Sequence, residues 1–278
     1  MHTQELREKS ERFHQLHHNG QLLVLPNIWD PFGAILLQDL GYPAVATSSS
    51  AMSWSQGYRD GEKLPFDALL LILKRIVQCV KIPVTADVET AYAANNLQLK
   101  DHIKKLIDTG IAGINFEDSR QDQPGLVPIE AQCEKINSIK RASIEAGSPL
   151  FLNARVDTYI KANYLTEEEK LQETLMRGKA YKAAGADGLY PILLKDQEPI
   201  KVVVQQTGLP VNLTMIPGLP NLDQLKTMGV ARVSLASGFF KCAAFALKQT
   251  AETLLKNKNL NDVFQHMETS GYIQKLIP

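Results

Sequence analysis

Eight short apolar runs rich in β-branched residues recur along the chain, at 22–25, 44–47, 83–86, 113–116, 150–154, 188–192, 210–213 and 231–235, and the segments between them follow a different rhythm. Residues 66–80, 97–109, 129–146 and 167–184 carry apolar side chains three and four apart, the spacing of one face of an α-helix. Several of these helices stop at a glycine just ahead of the next run, as in DLGYPAV, DTGIAGI, AAGADGL and TMGVARV, where a left-handed residue ends the helix. Strands joined through a helix run parallel, and eight is the number at which a parallel sheet closes into a barrel. The pattern therefore predicts an α/β fold, a (β/α)8 TIM barrel over about residues 22–255 rather than an open doubly wound sheet. An extra helix over 3–18 precedes the first strand, and a helical tail over about 260–276 follows the polar KNKNLND. No stretch marks a second domain, so residues 1–278 read as one barrel domain.

The length of 278 residues suits a single barrel and a large core. Lys plus Arg and Asp plus Glu each number 30, giving zero formal net charge with no basic block, so neither nucleic acid nor an anionic membrane is an expected partner. No run of about 18 apolar residues is present to span a bilayer, and the N-terminus carries charge and histidine where a secretion signal has an apolar core. Cys79, Cys133 and Cys242 are odd in number and far apart in helical segments, which suits reduced thiols better than a disulfide framework or a zinc site. A cytoplasmic protein is expected.

Barrels of this kind build their active sites from the carboxyl ends of the strands and the loops that follow. Those positions hold Asn27 and Asp30; Thr47, Ser48, Ser49 and Ser50; Asp87 and Glu89; Glu117 and Asp118; Asn153, Arg155 and Asp157; Tyr190; Asn212 and Thr214; and Ser234 and Ser237. The amino ends carry mainly Gly, Ala, Pro and aliphatic residues. In VTADVET, Asp87 and Glu89 are two apart and share a face if the strand continues, where they serve either as solvated turn residues or as a cation site. Together with Glu117 and Asp118 they would load one crevice with negative charge that protons or a cation must offset. No histidine lies near a strand end, since His2, His14, His17, His18, His102 and His266 fall in helical or terminal segments. An all-oxygen site suits Mg²⁺ or Mn²⁺ rather than zinc. Arg155 fits either a two-bond clamp on a substrate carboxylate or a salt bridge to a neighbouring acid.

Four motifs, TSSSAMSWSQGYRD, TADVETAYA, GINFEDS and NARVDTY, stand in an order and spacing that resemble the isocitrate lyase and phosphoenolpyruvate mutase superfamily. The resemblance covers about residues 22–254. It implies a (β/α)8 barrel, Mg²⁺ or Mn²⁺ as cofactor, and a homotetramer built as a dimer of dimers, or a homodimer, with the last barrel helix exchanged between subunits. Carried over by motif, Asp87 resembles the residue nearest the metal, with Asp60, Glu89 and Glu117 around its water shell. Ser48, Ser49 and Ser50 resemble the turn that binds the substrate carboxylate and oxyanion, Arg155 the arginine that clamps the substrate, and Asn212 and Ser234 strand-end residues near the pocket. The chemistry so implied is that of an α-keto acid chelating the metal and reacting through a pyruvate enolate.

The sequence also departs from that pattern. The loop EDSRQDQPGLVPIE has no Cys, Lys or His where isocitrate and 2-methylisocitrate lyases carry a catalytic cysteine, and Cys133 comes later, in a helix. It is also shorter than the gating loop of the phosphonomutases and lacks their lysine and asparagine. Ala91 and Ala93 stand where the family commonly has Gly, a change expected to narrow the pocket. The reading is a Mg²⁺-dependent lyase that cleaves a C–C bond of, or decarboxylates, a small α-keto or 2-hydroxy dicarboxylate. Its alternatives are a phosphoenolpyruvate or carboxyvinyl-carboxyphosphonate mutase activity and a metabolite binder without turnover. Tyr58, Tyr92, Tyr190 and Arg120 are unranked candidates for a general acid or base.

Overall fold

A computed structural model describes residues 3–120, 122–259, 261–264 and 267–277, so His2, His266 and the start of the expected tail at Leu260 lie outside the described residues. Helix α1 (Thr3–His18) leads into a first barrel strand that Pro26 splits into β1 (Leu23–Leu25) and β2 (Asn27–Ile28), because proline has no N–H to give to the ladder. The alternation continues through α2 (Pro31–Asp39), β3 (Val45–Thr47), α3 (Ser49–Ser55), α4 (Phe66–Cys79), β4 (Val84–Asp87), α5 (Asn96–Asp108), β5 (Gly113–Glu117) and α6 (Ile129–Glu145). It then runs through β6 (Phe151–Val156), α7 (Thr158–Lys161), α8 (Glu167–Ala183), β7 (Gly188–Pro191), α9 (Gln197–Thr207), β8 (Asn212–Thr214), α10 (Leu222–Thr227), β9 (Arg232–Ser234) and α11 (Gly238–Asn257). Two short helices, α12 (Asn261–Phe264) and α13 (Ser270–Leu276), lie in the tail.

Each of the eight predicted runs carries a strand. The strands form two parallel ladders, β2-β3-β4-β5-β6-β7 and β1-β9-β8. Pro26 joins them at one seam and a bridge between Leu189 and Val211 at the other, so the ring closes into the expected barrel. The helix-stopping glycines Gly41, Gly110, Gly185 and Gly229 have φ of 86°, 91°, 102° and 81°, a region other residues enter only at a cost.

A large hydrophobic cluster fills the space between strands and helices, and a smaller one plugs the barrel's amino end. In the plug, Phe13 of α1 is fully buried and meets Phe151 edge-on, with ring centroids 5.4 Å apart. Gly113 faces that contact, and a Cβ there would lie 2.9 Å from both Phe13 Cε1 and the Phe151 carbonyl oxygen. The side chain at this position is absent because α1 occupies its space.

Helix α11 behaves differently from the long helices that pack around the barrel. None of its residues is buried, and Phe245, Leu247 and Leu255 are 65%, 74% and 79% exposed. Near its start Phe240 meets Trp29 edge-on with centroids 5.2 Å apart. Helix α13 returns to the barrel, where the Tyr272 hydroxyl donates to Asp39 at 3.3 Å and Leu276 packs against the core. Among the described residues no helix is long and apolar enough to cross a membrane.

Candidate active site

The carboxyl ends of β3, β4, β5 and β6 assemble the crevice. Ser48 caps α3 by accepting from Ala51 N at 3.3 Å, and its hydroxyl shares a 3.1 Å hydrogen bond with that of Ser50. Ser49 turns the other way and donates from its backbone N and its Oγ to Asp87 Oδ2, at 3.2 and 2.8 Å. Asp87 N in turn donates to Thr47 Oγ1 at 3.1 Å. The serine turn and the first carboxylate are therefore built as one unit.

The chain after Asp87 does not continue as a strand. Glu89, Ala91 and Tyr92 have φ of 53°, 60° and 57°, so the backbone curls and buries the Glu89 side chain. Burial, together with the charges of Asp60, Asp87 and Glu62, pushes the Glu89 carboxyl up to about 8 despite a hydrogen bond from Glu62 N. Glu117, at the end of β5, is raised well above the carboxylate range by burial; Arg155 opposes the shift, and Asp157, Asp87 and Glu89 add to it. Five carboxylates, those of Asp60, Glu62, Asp87, Glu89 and Glu117, thus act on one another around a cavity of about 320 Å³. Glu62, Glu89 and Glu117 line that cavity, with Lys63, Arg120 and Asp122 at the same opening.

Arg155 is the buried cation facing this charge. Its Nη1 lies 2.7 Å from Glu117 Oε2, while Nε and Nη2 donate to the two oxygens of Asp157 at 2.7 and 3.1 Å. Of the two meanings expected of Arg155, the salt bridge is made, and of the five guanidinium N–H donors two remain uncommitted to these acids. Against the cost of burial, the charges of Glu117, Asp157 and Asp87 hold it protonated. Asp157 is fixed from behind by Ser119 Oγ at 2.5 Å.

Several residues expected at the crevice point elsewhere. Asp118 follows Glu117 and so faces the opposite side of the sheet. It receives Arg177 Nη1 at 3.0 Å and the Tyr181 hydroxyl at 2.8 Å, both from α8, and accepts from Asp157 N at 2.9 Å. It belongs to the shell behind the site, and the shared negative charge comes from Asp60 and Glu62 instead. Asn27 is committed to backbone, donating to the Thr47 carbonyl and accepting from Leu235 N, both at 2.8 Å. Asp30 caps α2. Asn212 is the first residue of β8, opposite Arg232, and accepts from Ser234 Oγ at 3.1 Å one layer below Thr214. The Ala91 methyl is buried in the hydrophobic core, so replacing glycine there strains the backbone rather than narrowing the crevice.

Among the candidate acids and bases, Tyr190 shares a 2.5 Å hydrogen bond with Thr214, Arg120 pairs with Asp122 at 3.0 Å, and Tyr58 is exposed. The Tyr92 hydroxyl is raised by burial and by the charges of Glu89 and Glu62. His102 reaches the Ala91 carbonyl from α5, behind the loop. Sequence reasoning missed Glu62 and Arg232. Arg232 is fully buried inside the barrel, held by one long hydrogen bond to Asn115 at 3.4 Å, and its charge in an otherwise apolar run was the available signal.

The donor set can be tested against a divalent ion. Its groups are oxygens, and burial with their mutual repulsion drives Glu89 and Glu117 toward the neutral form, a cost that a hard cation would offset. Among the described residues no group of three or more His, Cys, Asp or Glu is arranged to grip a metal directly. The arrangement therefore fits an ion that keeps much of its water and takes one or two carboxylates, as Mg²⁺ does.

The fold and site define a (β/α)8 barrel with a carboxylate-rich crevice at the carboxyl ends of its strands. The chain belongs to the phosphoenolpyruvate phosphomutase family, whose model matches residues 13–255, within the isocitrate lyase and phosphoenolpyruvate mutase superfamily. It is 32% identical over 250 residues to the uncharacterized protein Rv1998c of Mycobacterium tuberculosis, covering 89% of this chain and 90% of that protein. It is 23% identical over 273 residues to the 2-methylisocitrate lyase of Bacillus subtilis, covering 94% and 87%. A crystal structure of phosphonopyruvate hydrolase in complex with oxalate and Mg²⁺ has the same fold, with a TM-score of 0.82, 22% identity and coverage of 96% and 94%. The family is one of lyases and mutases.

Proposed function

We propose that the chain is a Mg²⁺-dependent carbon–carbon lyase that cleaves or decarboxylates a small α-keto or 2-hydroxy dicarboxylate by way of a pyruvate-type enolate. The observation that carries this reading is the burial and crowding of five carboxyl groups in the crevice beside Arg155, which drives Glu89 and Glu117 toward their neutral forms unless a cation is present. Asp87 would hold the ion, with Asp60, Glu89 and Glu117 around its waters; when bound, it supplies positive charge against an oxyanion on the substrate. The oxalate and Mg²⁺ bound to phosphonopyruvate hydrolase support this assignment, oxalate being a dianion with the shape of an enolate's chelating end.

The chain's own residues then divide the work. The hydroxyls of Ser48 and Ser50 face a substrate carboxylate as donors, Ser49, whose N and Oγ both donate to Asp87, ties that turn to the metal site, and the two remaining donors of Arg155 clamp the substrate. Glu117 and Asp157 keep the guanidinium plane fixed while it does so. The loop after β5 is tied back by Val127 N donating to the Asp118 carbonyl at 2.8 Å, and it carries no Cys, Lys or His. Cys133 lies on α6, its thiol raised by burial and by Glu130, which does not favour a thiolate nucleophile. A short loop excludes water less well, so solvent supplies the proton the enolate takes up, which favours cleavage or decarboxylation over phosphoryl transfer.

A single barrel domain over 1–278, a cytoplasmic location and a homotetramer or homodimer complete the reading. The free thiols of Cys79, Cys133 and Cys242 support the location. The exposed apolar side chains of α11 support a helix given to a neighbouring subunit.

The test is pyruvate release from oxaloacetate with and without Mg²⁺, corrected for the metal-catalysed background, beside oxalate binding under the same conditions. Metal-dependent release that Asp87→Ala abolishes is the expected result. Equal rates in both proteins reject oxaloacetate as substrate, and Mg²⁺-dependent oxalate binding with no turnover on a panel of α-keto and 2-hydroxy acids would make the chain a binder.

A further inference from the structure

Among the described residues, four of the seven non-glycine residues with positive φ sit together at the crevice: Glu62, Glu89, Ala91 and Tyr92, at 57°, 53°, 60° and 57°. Each is roughly 1–2 kcal/mol less favourable there than glycine would be, so something must hold these two loops in place. The holding group is Glu62. Its Oε1 accepts three donors from the loop after β4: Thr90 N at 3.1 Å, Thr90 Oγ1 at 2.6 Å and Tyr92 N at 2.8 Å. In return Glu62 N donates to Glu89 Oε1 at 3.0 Å. The two loops thus exchange hydrogen bonds through residues 27 and 28 positions apart in sequence, and Glu89 is caught between them.

We infer that Glu62 is a positioning residue: its carboxylate clasps the strained loop after β4 and so fixes where Glu89 presents its own carboxylate to the crevice. Three observations favour this over a simple surface contact. All three donors converge on one oxygen, so the clasp needs an acceptor at that point rather than a charge. Thr90 and Glu89 are buried, so a lost bond is not replaced by bulk water. The loop is also anchored on its far side, where His102 Nδ1 meets the Ala91 carbonyl at 2.8 Å, so Glu62 and α5 grip it from opposite sides. Groups hydrogen-bonded behind the residues of a metal site fix how those residues face the ion, and losing them commonly weakens metal binding. Glu62 would stand in that relation to Glu89, and this functional half of the inference rests on the cation reading above.

Two variants separate the clasp from its charge. Glu62→Gln keeps an acceptor oxygen and removes the charge; Glu62→Ala removes both. Amide hydrogen exchange reports the loop without any metal. Exchange at Thr90 and Tyr92 should rise about tenfold or more in Glu62→Ala and stay near wild type in Glu62→Gln, with the β5 amides unchanged in both. Mn²⁺ titrated alone and followed by its free-ion paramagnetic resonance signal reports the site. Affinity should fall about 10- to 100-fold in Glu62→Ala and less than about threefold in Glu62→Gln. Unchanged exchange in Glu62→Ala overturns the clasp. Equal losses of Mn²⁺ affinity in the two variants would mean that charge, not position, is what Glu62 contributes. A wild-type protein that binds no Mn²⁺ overturns the link to a cation, and the exchange result still decides the clasp.

Discussion

Acidification should loosen the barrel from its amino end, and the group responsible is His17. The ring is buried, stacked on Phe151 with centroids 4.1 Å apart, and its Nδ1–H donates to the Phe13 carbonyl at 2.8 Å while Nε2 has no partner among the described residues. Burial, with Arg232 adding to it, lowers its pKa from 6.5 to about 3. A histidine lowered on folding takes up its proton more readily in the unfolded chain, so stability falls as pH drops from about 6.5 toward 3. At pH 5 the unfolded histidine is about 1.5 pH units below its pKa while the folded one stays neutral, a difference of about 2 kcal/mol relative to pH 7. For a chain of this length that is about 3 °C in melting temperature. The assay is urea unfolding at pH 7 and pH 5 for wild type and His17→Leu. The substitution removes the Phe13 hydrogen bond at both pH values, so that loss cancels, and the variant should lose about 2 kcal/mol less than wild type between them. Equal losses would refute the assignment of this acid sensitivity to His17.

Two other substitutions test the packing. Gly113→Ala places a methyl 2.9 Å from a backbone carbonyl and from Phe13 Cε1, which should cost about 1–3 kcal/mol in urea unfolding with the fold retained by circular dichroism. Arg232→Met replaces a fully buried cation whose one hydrogen bond is 3.4 Å long, and the unfolding midpoint should rise, by up to about 4 kcal/mol in stability, rather than fall.

The barrel was legible because its signals are local. The glycine stops ahead of the strands all take the left-handed conformation, and α1 spans 3–18 as its pattern implies. Pro26 was a visible break in the first strand, and its effect, two short strands on different ladders, follows from one missing N–H. The site was less legible. Asp87 and Glu117 could be placed by counting to strand ends, and the same period of two should have sent Asp118 to the outer face. Glu89 was expected to share Asp87's face along a continuing strand, and a left-handed turn carries it instead. Glu62 left no pattern at all: its partners are some thirty residues on, and its conformation is one that sequence reasoning reserves for glycine.

The side chains behind the crevice also bear on the order in which ligands bind. Arg177 and Tyr181 hold Asp118, Asp118 and Ser119 hold Asp157, and Asp157 with Glu117 holds Arg155. This chain of contacts fixes the guanidinium, but it also means that the positive charge of Arg155 is already shared between two acids. An anionic substrate therefore approaches Asp87 beside a buried Glu89 that burial and its acidic neighbours already drive toward the neutral form. Donors on Arg155 and the serine turn supply direction, yet the charge of Asp87 opposes entry of a second anion until a cation offsets it. Oxalate offered without a divalent ion should accordingly bind no better to wild type than to Asp87→Ala. With the ion present, calorimetry should separate the two proteins, and metal-free oxalate binding that Asp87→Ala weakens would contradict the charge argument.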